Sequence, residues 1–403
     1  MLNTLRRIKA ILCSPRSGGS LLVSRTLDMD DARLAKSWLG KKSAWHNIDE
    51  IQNYHSLFAS FNGSSFAYSF LSGRVSLSAI ISALELKPGD EVIVPGYTCV
   101  VVPNAFSYAG VEVKYCDIEL DTYGLDASLL EASITPRTKA VLIHHLYGLV
   151  CRDYERLIEV AHYHGLRVIE DCAHSTGAEY KSKKIGNLGD VAFYSSERSK
   201  VFTTLIGGMA TTNDPAIASR LEAYYSECSF PDDAFIERQL KNIILSYYRV
   251  KHPGRLGLEI NSHKYDTEEI ISTTPEEENG MRPGYYGQKM PNPIAAIGTN
   301  QLKKIDAYNA RRRETAKRWD AWCDRNGYKK AVVIPDSTPV FLRYPVMVEP
   351  EKKQNRAWVE QETGGQVGVW FSTQIHPTSR TVEGCPNAAV AVRQCINLPA
   401  LLS

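Results

Sequence analysis

The chain has 403 residues, a formal net charge of +2, and ordinary apolar (43%) and charged (23%) fractions. That length exceeds the ~250–300 residues at which a single core stops growing, so at least two structural units are expected. The near-zero charge argues against a bulk electrostatic pull toward nucleic acid or an anionic membrane. The nine cysteines are scattered, odd in number and without a C-x-x-C pair, which suits reduced thiols rather than a disulfide framework. No run approaches the ~18 apolar residues of a membrane span. The start of the chain, with Arg6, Arg7 and Lys9 around a short interrupted apolar stretch, does not read as a secretory signal. A soluble, cytoplasmic protein is expected.

Residues 1–50 read as an N-terminal extension, 51–300 as a large domain and 301–403 as a long helix with a small C-terminal domain. From residue 72 helix and strand alternate. Val75, Leu77, Ile80, Ile81 and Leu84 share a helical face, and Pro88-Gly89-Asp90 turns into a strand over 91–94. A helix over 100–109, a strand over 111–116, a short helix over 128–133 and a strand over 140–144 follow. A helix over 154–164 stops at Gly165 and leads into an apolar strand, Arg167-Val168-Ile169-Glu170-Asp171. This alternation predicts an α/β fold with a mostly parallel sheet wrapped by helices. Residues 216–280 read as an irregular, variable insertion. One long helix is expected over 300–322, then strands over 331–334 and 341–348. The run Arg311-Arg312-Arg313 on that helix, balanced by Asp306, Glu314 and Asp320, reads as a solvated face. The apolar patch Ile243-Ile244-Leu245 reads as core packing.

The richest stretch lies between residues 168 and 208. It sets an acid, Asp171, at a strand end and a lysine, Lys200, in a Ser-rich loop before Gly207-Gly208. Ligands of open α/β sheets bind beyond the carboxyl ends of the strands, where this reading puts Asp171. A lysine amine and an acid are what pyridoxal phosphate requires. The amine forms a Schiff base with the aldehyde, and the acid keeps the pyridine nitrogen protonated so that the ring accepts electrons. Taken alone, the pair reads better as a surface lysine and a capping aspartate. No metal is expected, because nothing with metal-ligand spacing accompanies Asp171, Cys172 and His174.

The surroundings narrow the choice. In order stand Ser72-Gly73-Arg74-Val75-Ser76-Leu77, Pro88-Gly89-Asp90-Glu91-Val92-Ile93-Val94-Pro95, Tyr97-Thr98, Thr135-Pro136-Arg137-Thr138-Lys139-Ala140, His145-Leu146-Tyr147-Gly148, Glu170-Asp171-Cys172-Ala173-His174, Gly189-Asp190, Ser195, Lys200, Gly207-Gly208, Ala295-Ala296-Ile297-Gly298 and Gln301-Leu302. The series resembles the nucleotide-sugar aminotransferases of DegT/DnrJ/StrS type, pyridoxal-phosphate enzymes of fold type I, over residues 50–399.

The resemblance implies pyridoxal 5′-phosphate as cofactor, with Lys200 as its Schiff-base lysine and Asp171 on the ring nitrogen. His174 matches a Gln/His position near the ring, and a hydrogen-bonded core histidine is its other reading. The phosphate is expected at the helix that opens after Gly73, on the amides of Arg74 and Val75, with Gly73 permitting close approach and Ser195 adding a hydroxyl. Arg74 stands where the family carries a small residue or threonine. It reads either as a partner for phosphate or a substrate anion, or as an exposed first-turn residue. Two departures matter. Cys99 stands where the family often stacks an aromatic on the ring, so support is expected from Tyr97 or His174. Gly287 stands where an Asn reaches the neighbouring subunit's phosphate, leaving Gln288 or Lys289 to substitute. Gln374-Ile375-His376-Pro377 resembles a substrate-facing segment, with His376 as a sugar contact.

These implications describe an aminotransferase carrying an amino group from glutamate to a nucleotide-linked keto sugar, working as a homodimer. The departures at Cys99 and Gly287 keep open a catalytically retired relative that binds without turnover. A pyridoxal-phosphate lyase acting on an amino acid is the third reading.

Overall fold

The computed structural model describes residues 23–251, 273–363 and 367–401. The first half of the chain supplies β1 (Phe66–Phe70), β2 (Glu91–Pro95), β3 (Thr98–Cys99), β4 (Glu112–Cys116), β5 (Thr138–His144) and β6 (Arg167–Asp171). A small hairpin, β7 (Glu179–Tyr180) and β8 (Lys183–Lys184), precedes β9 (Val191–Ser195) and β10 (Gly208–Thr212). Seven of these form one sheet in the order β1-β10-β9-β6-β5-β2-β4. Only β10 runs against its neighbours; the other pairings are parallel. The central strands are apolar on both faces: Val168 and Ile169 of β6 and Val141, Leu142 and Ile143 of β5 are fully buried. That is the signature of a parallel sheet covered on both sides.

One face is covered by helices Gly73–Ala83, Val101–Tyr108 and Pro215–Glu227. The other takes helices Asp49–Asn62, Tyr154–Tyr163 and Asn292–Leu302. Local chemistry starts these helices where expected: Ser72 and Asp214 accept first-turn amides as N-caps, and Pro215 follows at the first helical position. A third apolar cluster packs β12 (Arg343–Met347) and β14 (Cys395–Pro399) against Trp319 and Trp322, forming the C-terminal unit.

Several expectations are corrected. The stretch 216–280 is not irregular in its described part, because helices Pro215–Glu227, Asp233–Lys251 and Pro275–Glu278 occupy it; residues 252–272 lie outside the described residues. The single long helix is two, Asn292–Leu302 and Ile305–Asn326, broken at residues 303–304. A strand forms at Ser337–Thr338 (β11) rather than over 331–334. Arg312 is not on a solvated face: it is 1% exposed and bonds Asn309 and the Val201 carbonyl. Residues 23–50 also do more than extend the chain, since Trp38 and Trp45 are buried in the main core. Ile243 is buried there too.

Candidate active site

The carboxyl ends of the parallel strands open on a cavity of about 400 Å³. Asp171 enters from the end of β6, with His144 of β5 and Phe193 of β9 as its register neighbours. Ser195 ends β9, and the next loop carries Glu197, Arg198, Ser199 and Lys200 along the wall. That loop is pinned by its own backbone: Ser196 N–H donates to Gly207 O at 2.9 Å, and Thr204 N–H to Ser196 O at 2.9 Å. Gly207 adopts φ 141°, and a Cβ there would meet Ser196 Oγ at 2.5 Å, so only glycine closes it.

Lys200 is the cation facing Asp171 across this cavity. Burial pushes its ammonium below the usual lysine range, while Glu197, Cys99 and Asp171 pull it back up. Burial raises the Asp171 carboxyl; the Ala173 amide, donating to Oδ1 at 3.0 Å, and Lys200 act in the opposite direction. His174 lines the same wall and is held neutral by burial, well below the ordinary histidine range. Its Nδ1 accepts the Tyr147 amide at 3.4 Å, which places the ring proton on Nε2.

At the other side the helix Gly73–Ala83 begins, and Ser72, Gly73 and Arg74 line the cavity. A Cβ at Gly73 would meet Ser195 Cβ at 3.0 Å, and one at Gly208 would meet Gly73 N at 2.4 Å. The two glycines let β10, the helix start and Ser195 converge, leaving a cradle at a positive helix end. An anionic group beside a buried lysine and an acid fits this donor set, as pyridoxal phosphate requires.

Not every expected residue reaches the cavity. Val75 is fully buried and its amide is bonded to Ser72, so it does not line the wall. Tyr97 is also fully buried, its hydroxyl 2.9 Å from that of Tyr147, and does not face the cavity. Arg74 does line the cavity but is not an exposed first-turn residue: its guanidinium is largely buried, ion-paired to Glu277 and bonded to the Tyr285 hydroxyl at 3.1 Å. Cys99 does line the cavity, and so does His376, because β13 (Ile375–His376) pairs in parallel with β3. Burial lowers His376 to about 4. Gln288 and Lys289 stand away from this chain's own cavity; the Lys289 ammonium lies 5.0 Å from the Phe230 ring and 5.1 Å from Tyr225.

Sequence reasoning missed Trp370, Phe371 and Glu197. Trp370 lies over the Lys200 ammonium and edge-on to His174, with ring centroids 4.5 Å apart. Its signal was an aromatic pair just before the 374–377 segment. Glu197 stands three residues before the lysine, where an acid reads as ordinary loop polarity. Among the described residues, His145, Glu170 and Cys172 place potential ligand atoms within 4.8 Å of one another. Glu170 is already bonded there by His145, Tyr154 and the amides of Gly186, Leu188 and Gly189. Among the described residues no helix is long and apolar enough to cross a membrane.

Solved aminotransferases share this fold. DesV of S. venezuelae, solved in complex with a ketimine intermediate, shares the fold at TM-score 0.71 and 24% identity, over 92% of this chain and 89% of that one. Residues 28–402 match the DegT/DnrJ/EryC1/StrS aminotransferase family, and the chain belongs to it. GDP-perosamine synthase of Caulobacter vibrioides is 43% identical over 171 residues, 42% of this chain and 46% of that protein. GDP-perosamine synthase of Escherichia coli O157:H7 is 31% identical over 283 residues, 70% of this chain and 64% of that protein. The aligned stretches thus span about half to two thirds of these relatives.

Proposed function

We propose that the protein is a pyridoxal-phosphate-dependent aminotransferase that moves an amino group from glutamate to a nucleotide-linked keto sugar. The observation that carries this reading is the convergence of Lys200, Asp171, Ser195 and the Gly73 helix start on one cavity. When bound, the cofactor supplies an electron sink for the carbanion formed at the donor α-carbon. Lys200 Nζ, neutral more readily than an exposed lysine, takes the proton from that carbon and returns it on the acceptor side. Asp171 would accept the hydrogen bond of the ring N–H, and His174 Nε2–H would offer a neutral donor near it. The Gly73 helix start, with the Ser195 hydroxyl, would hold the phosphate through backbone dipoles. Trp370 and Phe371 line the cavity from the C-terminal unit and help to keep water out.

The names of the perosamine synthases and of sugar transaminases among the relatives favour a nucleotide-linked acceptor over a free amino acid. The eight described cysteines are all free thiols, as a reducing cytoplasm keeps them. A homodimer with a shared site is part of the same reading. The test is two half-reactions. Glutamate alone should bleach the cofactor's visible absorbance, and a GDP-linked keto sugar should restore it with amination of the sugar. Bleaching without restoration by any nucleotide-linked keto sugar refutes the acceptor; no bleaching by glutamate refutes the donor.

A further inference from the structure

The pair formed by Arg74 and Glu277 is not used by the chemistry above, and it joins two parts of the wall. Arg74 is the second residue of the helix whose first turn faces the cavity; Glu277 lies in the short helix Pro275–Glu278, across 203 positions of sequence. The Arg74 side chain is 10% exposed and that of Glu277 fully buried. Glu277 is further held by a capping box with Thr274, by the Tyr286 hydroxyl at 3.4 Å, and by Asn104, which donates to its carbonyl. Arg74 also donates to Tyr285. Residues 273–287 are thereby tied to the cofactor helix at a buried point, while the Tyr108 hydroxyl, donating to Met281 O at 2.7 Å, and the Tyr224 hydroxyl, donating to Tyr286 O at 3.2 Å, hold the later part of the segment. On either side of that point Thr273 and Glu278 line the cavity.

A buried ion pair is weak evidence for stability but a good means of fixing one arrangement, because removing either partner strands a charge. What it fixes here is a carboxylate, Glu278, at the mouth. A carboxylate accepts hydrogen bonds from sugar hydroxyls and repels phosphate. We propose that Arg74 and Glu277 are positioning residues that hang residues 273–287 on the cofactor helix, so that Glu278 forms the sugar-hydroxyl side of the acceptor subsite. This rests on the aminotransferase reading and adds to it the residues that select the acceptor.

The experiment is Glu277→Gln in the holoenzyme, with Tyr285→Phe as a milder second variant that keeps the ion pair. Single-turnover bleaching by glutamate should stay within about twofold of wild type, while KM for a GDP-linked keto sugar rises about tenfold with little change in kcat. In the apoprotein, a glutamate-specific protease should cut after Glu278 about tenfold faster. Tyr285→Phe should move both in the same direction by less. Unchanged KM with unchanged cleavage overturns the proposal, as does a glutamate half-reaction slowed as much as the whole. If wild type aminates no nucleotide-linked keto sugar, the functional reading fails and the acceptor role of Glu278 with it. The cleavage assay alone then decides whether the tether exists.

Discussion

The Lys200 ammonium lies 5.2 Å from the centre of the Trp370 ring, so the loop after β9 and the C-terminal unit meet at this amine. Arg343 lies over the same ring at 5.4 Å, from β12. The lysine is thus walled by an element about 170 residues further along the chain, and both units line the cavity. Lys200→Ala should remove covalent fixing of the cofactor by borohydride and abolish transamination while leaving the fold intact by circular dichroism. A variant still labelled after reduction would put the aldehyde on another lysine.

Asp171→Asn keeps the shape of the side chain and its hydrogen bond to the Ala173 amide. A neutral amide cannot hold a proton on the ring nitrogen. Cofactor should stay bound while turnover falls on the order of a hundredfold or more, the scale of losing a group aimed at transition-state charge. Wild-type rates in steady-state assays would place the electron-sink partner elsewhere.

Glu197 is the largest influence opposing burial at Lys200, since its carboxylate favours the ammonium. Glu197→Gln removes that support, so the amine should lose its proton at lower pH. The pH profile for cofactor capture by the apoprotein, which rises as Lys200 becomes neutral, should shift to the acid side. A shift to higher pH would mean that Glu197 does not act on the amine by charge.

Gly73→Ala puts a Cβ 3.0 Å from Ser195 Cβ and 3.3 Å from the Tyr194 carbonyl. Overpacking of this kind costs about 1–3 kcal/mol. Here the crowding falls on the phosphate cradle, so cofactor affinity should drop about tenfold, more than the fold itself loses. Absorbance titration of the apoprotein beside a thermal melt separates the two; equal losses would make Gly73 a packing residue only.

Gln288 and Lys289 sit at the edge of this chain, the first accepting the Leu71 amide on its carbonyl at 3.1 Å. A dianionic phosphate needs charge-assisted donors beyond a helix end. Within a homodimer, Gln288→Ala or Lys289→Ala should weaken cofactor binding, and mixed dimers with Lys200→Ala chains should show half-site behaviour. If neither substitution weakens binding and the monomer is fully active at micromolar concentration, the shared site is wrong.

The alternation of periods made the parallel sheet legible from sequence, because a strand buried on both faces must be apolar throughout, as Val168-Ile169 and Val141-Leu142-Ile143 are. Asp171 and Lys200 were legible for a related reason: strand ends and the loops after them are where such sheets present reactive groups. The break at residues 303–304 was not legible, since no proline or glycine marks it. Arg312 was misread because a charged run reads as solvated, and only packing revealed that its terminal nitrogens donate to Val201 O and Asn309 inside. The partner of Arg74 and the aromatic over Lys200 lay equally out of reach. A side chain's local signal says what it can bond, whereas Glu277 and Trp370 arrive from 203 and 170 positions away, and only the tertiary fold brings such distant groups to one point.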